Sequence, residues 1–144
     1  MADPAGPGDI SDGAAIVLDA SVMVDLLLDT EASAAIRSAV RGHRLVVPSH
    51  FDAEVLSAIG RLHRAGALTE SAATARIERL AGAPLQREPL APLLTGAWGR
   101  REHTRLADAL YLELAASLDT IVLTTDRRLA RAHPTVAAVP EDLT

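Results

Sequence analysis

Ile16-Val17-Leu18-Asp19-Ala20-Ser21 decides the fold: three apolar residues suited to a buried strand stop at an acid, and a helical pattern runs on from Ser21 to Leu28. The same arrangement recurs towards the other end of the chain, where Ile121-Val122-Leu123 leads through Thr124 and Thr125 to Asp126. Two buried strands thus finish in an acid. Ligands of open α/β sheets bind outside the carboxyl ends of the strands, so these two acids mark the place to look for chemistry.

Between these strands, helical and strand-like patterns alternate, as they do in a sheet with helical crossovers. Residues 31–40 read as a helix ending near Gly42, and Leu45-Val46-Val47 before Pro48 as a second strand. Ser49-His50-Phe51-Asp52 has capping-box spacing, with Asp in place of the usual Glu or Gln. The helix it opens is expected to reach residue 65 and stop at Gly66, with Phe51, Val55, Ala58, Ile59 and Leu62 as its apolar stripe and Glu54 at the stripe's edge. Thr69 begins another helix to about residue 80, and 85–90 is a weak strand broken by Pro89. Residues 92–101 are predicted helical, interrupted by Gly96 and Gly99. Thr104 is expected to cap a helix over 105–118 that is apolar nearly all round, hence central, with Asp108 sharing a face with Leu112 and Ala115. A strand over 120–123, a helix over 126–132 and an edge strand over 136–139 complete the pattern.

Composition narrows the chemistry. A chain of 144 residues with 49% hydrophobic content fits one domain with its own core. One Trp, one Tyr and one Phe leave stacking on aromatics little part in recognition, so a nucleic acid would be held by its phosphates. The absence of Cys removes disulfides, thiolate zinc sites and thiol nucleophiles, and suits a reducing compartment. All 14 basic residues are Arg, which excludes a P-loop and a Schiff-base enzyme; Arg is the better bidentate phosphate ligand, but so complete a bias reads as a GC-rich genome rather than as selection for binding. A net charge of −5 argues against a simple basic nucleic-acid-binding surface but not against a metallonuclease. Residues 1–14 read as a flexible leader, without the basic start and apolar middle of a signal peptide, and 15–144 as a single domain. No apolar stretch approaches a membrane span, and the expectation is a cytoplasmic protein.

Four acids stand where an apolar element meets a turn or helix: Asp19, Glu54, Asp108 and Asp126. Mg²⁺ and Mn²⁺ take hard oxygen ligands, usually a few carboxylates with water and substrate phosphate completing the shell. Four carboxylates about 5 Å apart would repel by roughly 3 kcal/mol per pair at an effective dielectric of 20, and a divalent cation relieves that cost. On this reading Asp19 and Asp126 anchor the main ion, Asp108 holds a second ion or a water, and Glu54 orients the attacking water. Ser21 is placed to hold a coordinated water, and Thr124 or Thr125 to support the ligands.

The chain as a whole resembles the PIN-domain ribonucleases, and among them the VapC-type toxins of bacterial toxin–antitoxin pairs. The resemblance spans about residues 16–139. It is carried by the stretch opening at Ile16 and ending at Ser21, by the Glu54 helix entered from Pro48-Ser49, by Leu106-Ala107-Asp108-Ala109-Leu110-Tyr111, and by Leu123-Thr124-Thr125-Asp126-Arg127-Arg128-Leu129. It implies a three-layer α/β/α fold with a mainly parallel sheet of about five strands and a Mg²⁺- or Mn²⁺-dependent endoribonuclease. It also implies a homodimer neutralised by a cognate antitoxin, with Asp19, Glu54, Asp108 and Asp126 as the acidic quartet. Nothing is carried over for residues 82–103, where the pattern is loose.

Taken singly, each acid has an ordinary structural explanation. Asp19 can open an Asx turn, Asp126 can complement a helix dipole, Asp108 can pair with Arg105, Glu54 can be a solvated helix residue, and Asp52 reads as a cap. The joint pattern is what points to a site. Arg105, Arg127 and Arg128 cluster in sequence near Asp108 and Asp126 and are candidates for holding RNA phosphates. The five His residues form no HExxH pattern, which excludes the usual zinc hydrolase. Two other classes compete: an Asp phosphoacceptor, as in a phosphatase or receiver domain, and a catalytically idle PIN-like binding module. The first normally wants a Lys, which this chain lacks, and the second has no use for four acids.

Overall fold

The computed structural model describes residues 13–143. Five strands, β1 (Ala14–Leu18), β2 (His43–Pro48), β3 (Gln86–Glu88), β4 (Val122–Leu123) and β5 (Ala137–Ala138), form one sheet in the order β3-β2-β1-β4-β5, and every pairing is parallel. Ile16, Val17 and Leu18 on β1, Val46 and Val47 on β2, and Val122 and Leu123 on β4 are consecutive and all buried. Successive strand residues point to opposite faces, so both faces of the sheet are covered, which is the three-layer arrangement. The chain winds from β1 outward to β3, then returns to the other side of β1 to add β4 and β5. The winding direction therefore reverses at the β1/β4 junction, the switch point where the strand ends open into a crevice.

Among the described residues, seven α-helices connect and flank the strands: α1 (Ala20–Leu28), α2 (Ser33–Val40), α3 (Phe51–Arg64), α4 (Glu70–Ala81), α5 (Leu94–Gly99), α6 (Leu106–Ser117) and α7 (Arg127–Ala132). α3 packs on α1 and α4, and its Phe51, Val55 and Ile59 are fully buried. It ends as Gly66 takes the left-handed conformation (φ 80°). Each such buried aliphatic or aromatic side chain contributes about 1.5–3 kcal/mol, and this, rather than helix propensity, holds α3 in place. α6 lies against β1, β2 and β4, with Ala109, Tyr111, Leu112, Leu114 and Ala115 buried, as its all-round apolar character predicts. No helix among the described residues is long and apolar enough to cross a membrane.

Several boundaries differ from the sequence reading, each for a local reason. Ala14, assigned to the leader, belongs to β1 and pairs with His43; residues 1–12 of that segment lie outside the described residues. The capping box at Ser49 does not form: His50 occupies the N-cap of α3 without a side-chain cap bond. Asp52, read as a cap, instead takes a two-pronged bond from Arg87 on β3, at 2.6 and 3.2 Å. Thr104 does not cap α6 either, because its hydroxyl lies 3.1 Å from His133 Nε2 and Arg105 holds the N-cap position. The helix expected over 92–101 is split into a 3₁₀ turn (Ala91–Leu93) and the short α5. Thr69 behaves as expected, accepting the Ala72 N–H at 3.1 Å.

Candidate metal centre at the strand ends

The β1/β4 junction builds the centre from the backbone outward. Asp19 N–H donates to Leu123 O at 3.0 Å, which continues the β1/β4 ladder past the last paired residue and sets Asp19 beside Thr124. Asp19 is the N-cap of α1, yet its side chain makes no cap bond. Two hydroxyls, from Ser21 and from the fully buried Thr124, each donate to its Oδ2 at 2.8 Å instead. Thr124 Oγ1 also accepts the Asp126 N–H at 3.0 Å, and Ser21 Oγ accepts the Thr125 N–H at 3.2 Å. The two strand ends are thereby laced together through Asp19. The Asx-turn explanation of Asp19 does not describe this arrangement.

Asp126 does have the structural role that its position allows. Its Oδ1 accepts the Arg128 N–H at 2.9 Å and the Leu129 N–H at 3.4 Å, capping α7. Glu54, one turn into α3, receives the Tyr111 hydroxyl on Oε1 at 2.6 Å, with His50 Nε2 at 3.4 Å from the same oxygen. It is not a free solvated residue. Asp108, in the first turn of α6, makes no hydrogen bond or ion pair among the described residues, although Arg105 is near enough to favour its charged form.

The quartet, brought in by β1, α3, α6 and the β4–α7 link, lines a single cleft of about 400 Å³ together with Ser21, Asp25, Arg61, Arg105 and Thr125. Burial raises the Asp19 pKa above the ordinary carboxylate value; the Thr124 and Ser21 hydroxyls offset part of this, and Asp108 and Glu54 add to it. Asp108 is raised as well, first by burial and then by Glu54 and Asp126, against the lowering effect of Arg105 and Arg128. The charged forms of Asp19 and Asp108 are thus disfavoured in part by the other acids of the cleft.

Among the described residues, no group of three or more His, Asp or Glu side chains draws together tightly enough to cage a metal ion. The acids line an open cleft. That suits Mg²⁺, which keeps several waters and binds through one or two carboxylates plus substrate phosphate, better than it suits a cation needing an all-protein cage. An all-oxygen donor set, no Cys, and carboxylates whose charge is disfavoured until a cation neutralises it form a consistent fit to a hard divalent ion.

Of the arginines picked out in sequence, only Arg105 lines the cleft. Arg127 turns towards Glu141, 3.6 Å away, in a separate depression, which corrects its expected place beside the acids. Arg128 is largely exposed, with Nε 3.8 Å from Asp126 Oδ1. Arg61 and Asp25 line the cleft but were missed in sequence. Both were within reach of a helical count: Arg61 lies seven residues after Glu54, and Asp25 four after Ser21. Thr124→Val removes a hydroxyl that joins Asp19 to Asp126 and leaves the Asp126 N–H without its acceptor. It is expected to cost about 1–3 kcal/mol of stability and roughly 10- to 100-fold in metal affinity, read by thermal melting and by metal titration.

The PIN domain family profile matches residues 16–133. Ribonuclease VapC3 of Mycobacterium tuberculosis is 50% identical over 125 residues, covering 86% of this chain and 91% of its own length. Among solved structures, PAE2754 from Pyrobaculum aerophilum superposes with a TM-score of 0.65 at 21% identity, over 90% of this chain and 86% of that one. A chain of a toxin–antitoxin complex from Klebsiella pneumoniae gives 0.61 at 14% identity, over 87% and 97%. With the profile covering most of the sequence, a curated relative half identical over nearly its whole length, and the same fold in solved chains, this chain belongs to the PIN domain family.

Proposed function

We propose that this protein is a divalent-metal-dependent endoribonuclease, the toxin of a toxin–antitoxin pair, that hydrolyses RNA phosphodiester bonds in the cleft at the β1/β4 junction. One observation carries the reading: four acids from separate elements line one cleft at the point where the winding of a parallel sheet reverses. The family and the name of the half-identical relative, a ribonuclease, agree with it.

Asp19, Asp108 and Asp126 would hold Mg²⁺, with Mn²⁺ able to substitute. Bound there, the cation would polarise a water and neutralise charge on the phosphate. The chain's own residues do the rest. Asp19, fixed by Ser21 and Thr124, offers a carboxylate that needs no rearrangement, and Asp126 is held by the backbone of α7. Glu54 orients the attacking water and takes its proton as the oxygen attacks phosphorus and the bond to the leaving nucleotide oxygen breaks. Arg105 and Arg61 make no ion pair among the described residues and flank the acids, where they hold RNA phosphates. The proposed partners are a cognate antitoxin and a second copy of this chain, and the proposed place of action is the cytoplasm.

Incubating end-labelled RNA with the purified protein tests the reading. Fragments with Mg²⁺ or Mn²⁺ and none with EDTA are expected; a stable phosphate on Asp19, or no reaction under any metal, would overturn it in favour of a phosphoacceptor or an idle module. Arg61→Ala and Arg105→Ala are each expected to weaken RNA binding and lower the salt slope of log K by about 0.7, the value for one single-strand phosphate contact. Filter binding across a salt series reads that slope.

A further inference from the structure

We propose that Tyr111 and His50 are positioning residues for Glu54, together fixing one oxygen of its carboxyl group so that the other serves the attacking water. This rests on the reading of Glu54 given above and adds the device that makes it work.

Tyr111 is fully buried, the largest side chain in the core, and its hydroxyl donates to Glu54 Oε1 at 2.6 Å. A buried hydroxyl must find an acceptor, and Phe would pack the same space without that demand. Burial, and then the bond to Glu54, raise the Tyr111 pKa far above its ordinary value, so the hydroxyl stays a donor. His50 reaches the same oxygen from four residues before Glu54. Its Nε2 lies 3.1 Å from Ala107 O and 3.4 Å from Glu54 Oε1. A carbonyl only accepts, so Nε2 carries the ring hydrogen and donates it to Ala107 O, which holds the ring edge against Glu54 Oε1. His50 Nδ1 is buried with no partner, so the ring's only hydrogen bond is that of Nε2. The His50 and Tyr111 rings pack with centroids 4.9 Å apart.

The Tyr111 hydroxyl bonds Oε1 and the His50 ring lies against the same oxygen, whereas Oε2 takes no hydrogen bond among the described residues. A free Glu side chain loses rotamer entropy on being fixed, and the Tyr111 bond with the adjoining His50 ring meets that cost before substrate arrives. The partners also come from the right helix. Ala107 and Tyr111 bracket Asp108 on α6, so one helix sets Asp108 directly and Glu54 through Tyr111. α3 and α6 are thus keyed to each other at the cleft by residue pairs 57 apart in sequence.

Single-turnover cleavage of labelled RNA by the full chain tests this. Tyr111→Phe, which keeps the buried ring, is expected to slow cleavage about 10- to 100-fold, with RNA affinity unchanged within about twofold. His50→Ala is expected to slow it similarly, and His50→Gln, which keeps a donor near Nε2, to recover most of the loss. In a Glu54→Ala background, Tyr111→Phe is expected to add nothing, because its effect passes through Glu54. A Tyr111→Phe rate equal to the unmodified protein, or the same loss with Glu54 absent, overturns the inference while leaving Glu54's role standing. Wild-type cleavage by Glu54→Ala overturns both. Should Tyr111→Phe fail to fold, the contrast between His50→Ala and His50→Gln decides: equal loss in both overturns the inference.

Discussion

Asp19→Asn is expected to lower RNA cleavage by at least about 10³-fold, roughly 4 kcal/mol of barrier, while making the metal-free protein more stable. Asn keeps the shape and still accepts the Ser21 and Thr124 hydroxyls, so the strand ends stay joined. What it removes is a charge that burial disfavours, with Asp108 and Glu54 adding to the cost. Because the folded pKa of Asp19 lies above the ordinary 3.8, the folded state retains a proton that the unfolded chain has released once pH passes that value. The contribution of Asp19 to metal-free stability is therefore greatest below about pH 4 and is lost as pH rises through the elevated folded value. Asp108 acts in the same direction. In EDTA at pH 7 the variant should melt a few degrees higher, since about 1 kcal/mol moves a domain of this size by roughly 3–5 °C. Its midpoint should also depend less on pH between 4 and 7. A variant that melts below the parent in EDTA at neutral pH would contradict the view that the Asp19 charge is a strain carried for function.

Adding metal should reverse that strain in the unmodified chain. A ligand at 100 times its dissociation constant stabilises by about 2.7 kcal/mol, which for a chain of this length is a rise of roughly 8–14 °C in melting temperature. The rise is expected with Mg²⁺ and Mn²⁺, to vanish on chelation together with cleavage, and to fall by half or more in Asp19→Asn at the same metal concentration. Equal shifts in the two proteins would place the bound metal somewhere other than this cleft.

Asp19 and Asp126 were legible because their signal is one-dimensional: an apolar run ending in an acid puts that acid at a strand end wherever the strand sits in the sheet. The parallel order then brings the two together, since β1 and β4 are neighbours. Asp108 was legible as an acid on a helix too apolar to carry one without reason. The local readings at Ser49 and Thr104 failed because each side chain had a choice between a nearby backbone group and a distant partner. Asp52 took Arg87, 35 residues on, and Thr104 took His133, 29 residues on. Both partners depend on how α3 meets β3 and how α7 returns under the loop before α6, which no local pattern records.

The anchoring of Glu54 was hidden for the same reason. Tyr111 reads in sequence as one more apolar residue of a central helix, and His50 as part of a cap; only the approach of α3 to α6 brings them to a common oxygen. Arg61 was within reach of a helical count from Glu54, whereas Arg127 and Arg128, chosen by closeness in sequence, open the short α7, where Arg127 turns to Glu141 and Arg128 lies largely exposed 3.8 Å from Asp126. Gly96, taken as an interruption of a helix, lies inside α5 and faces the Glu113 carboxyl group that holds Arg100.

Mn²⁺ titration followed by calorimetry, on the full chain and on Asp19→Asn, Asp108→Asn and Asp126→Asn, asks whether acids distant in sequence share one cation. The expected result is saturable binding to the unmodified protein that each substitution weakens by about tenfold or more, though the three residues come from different elements. Binding that saturates identically in all four proteins would contradict a common centre at the β1/β4 strand ends.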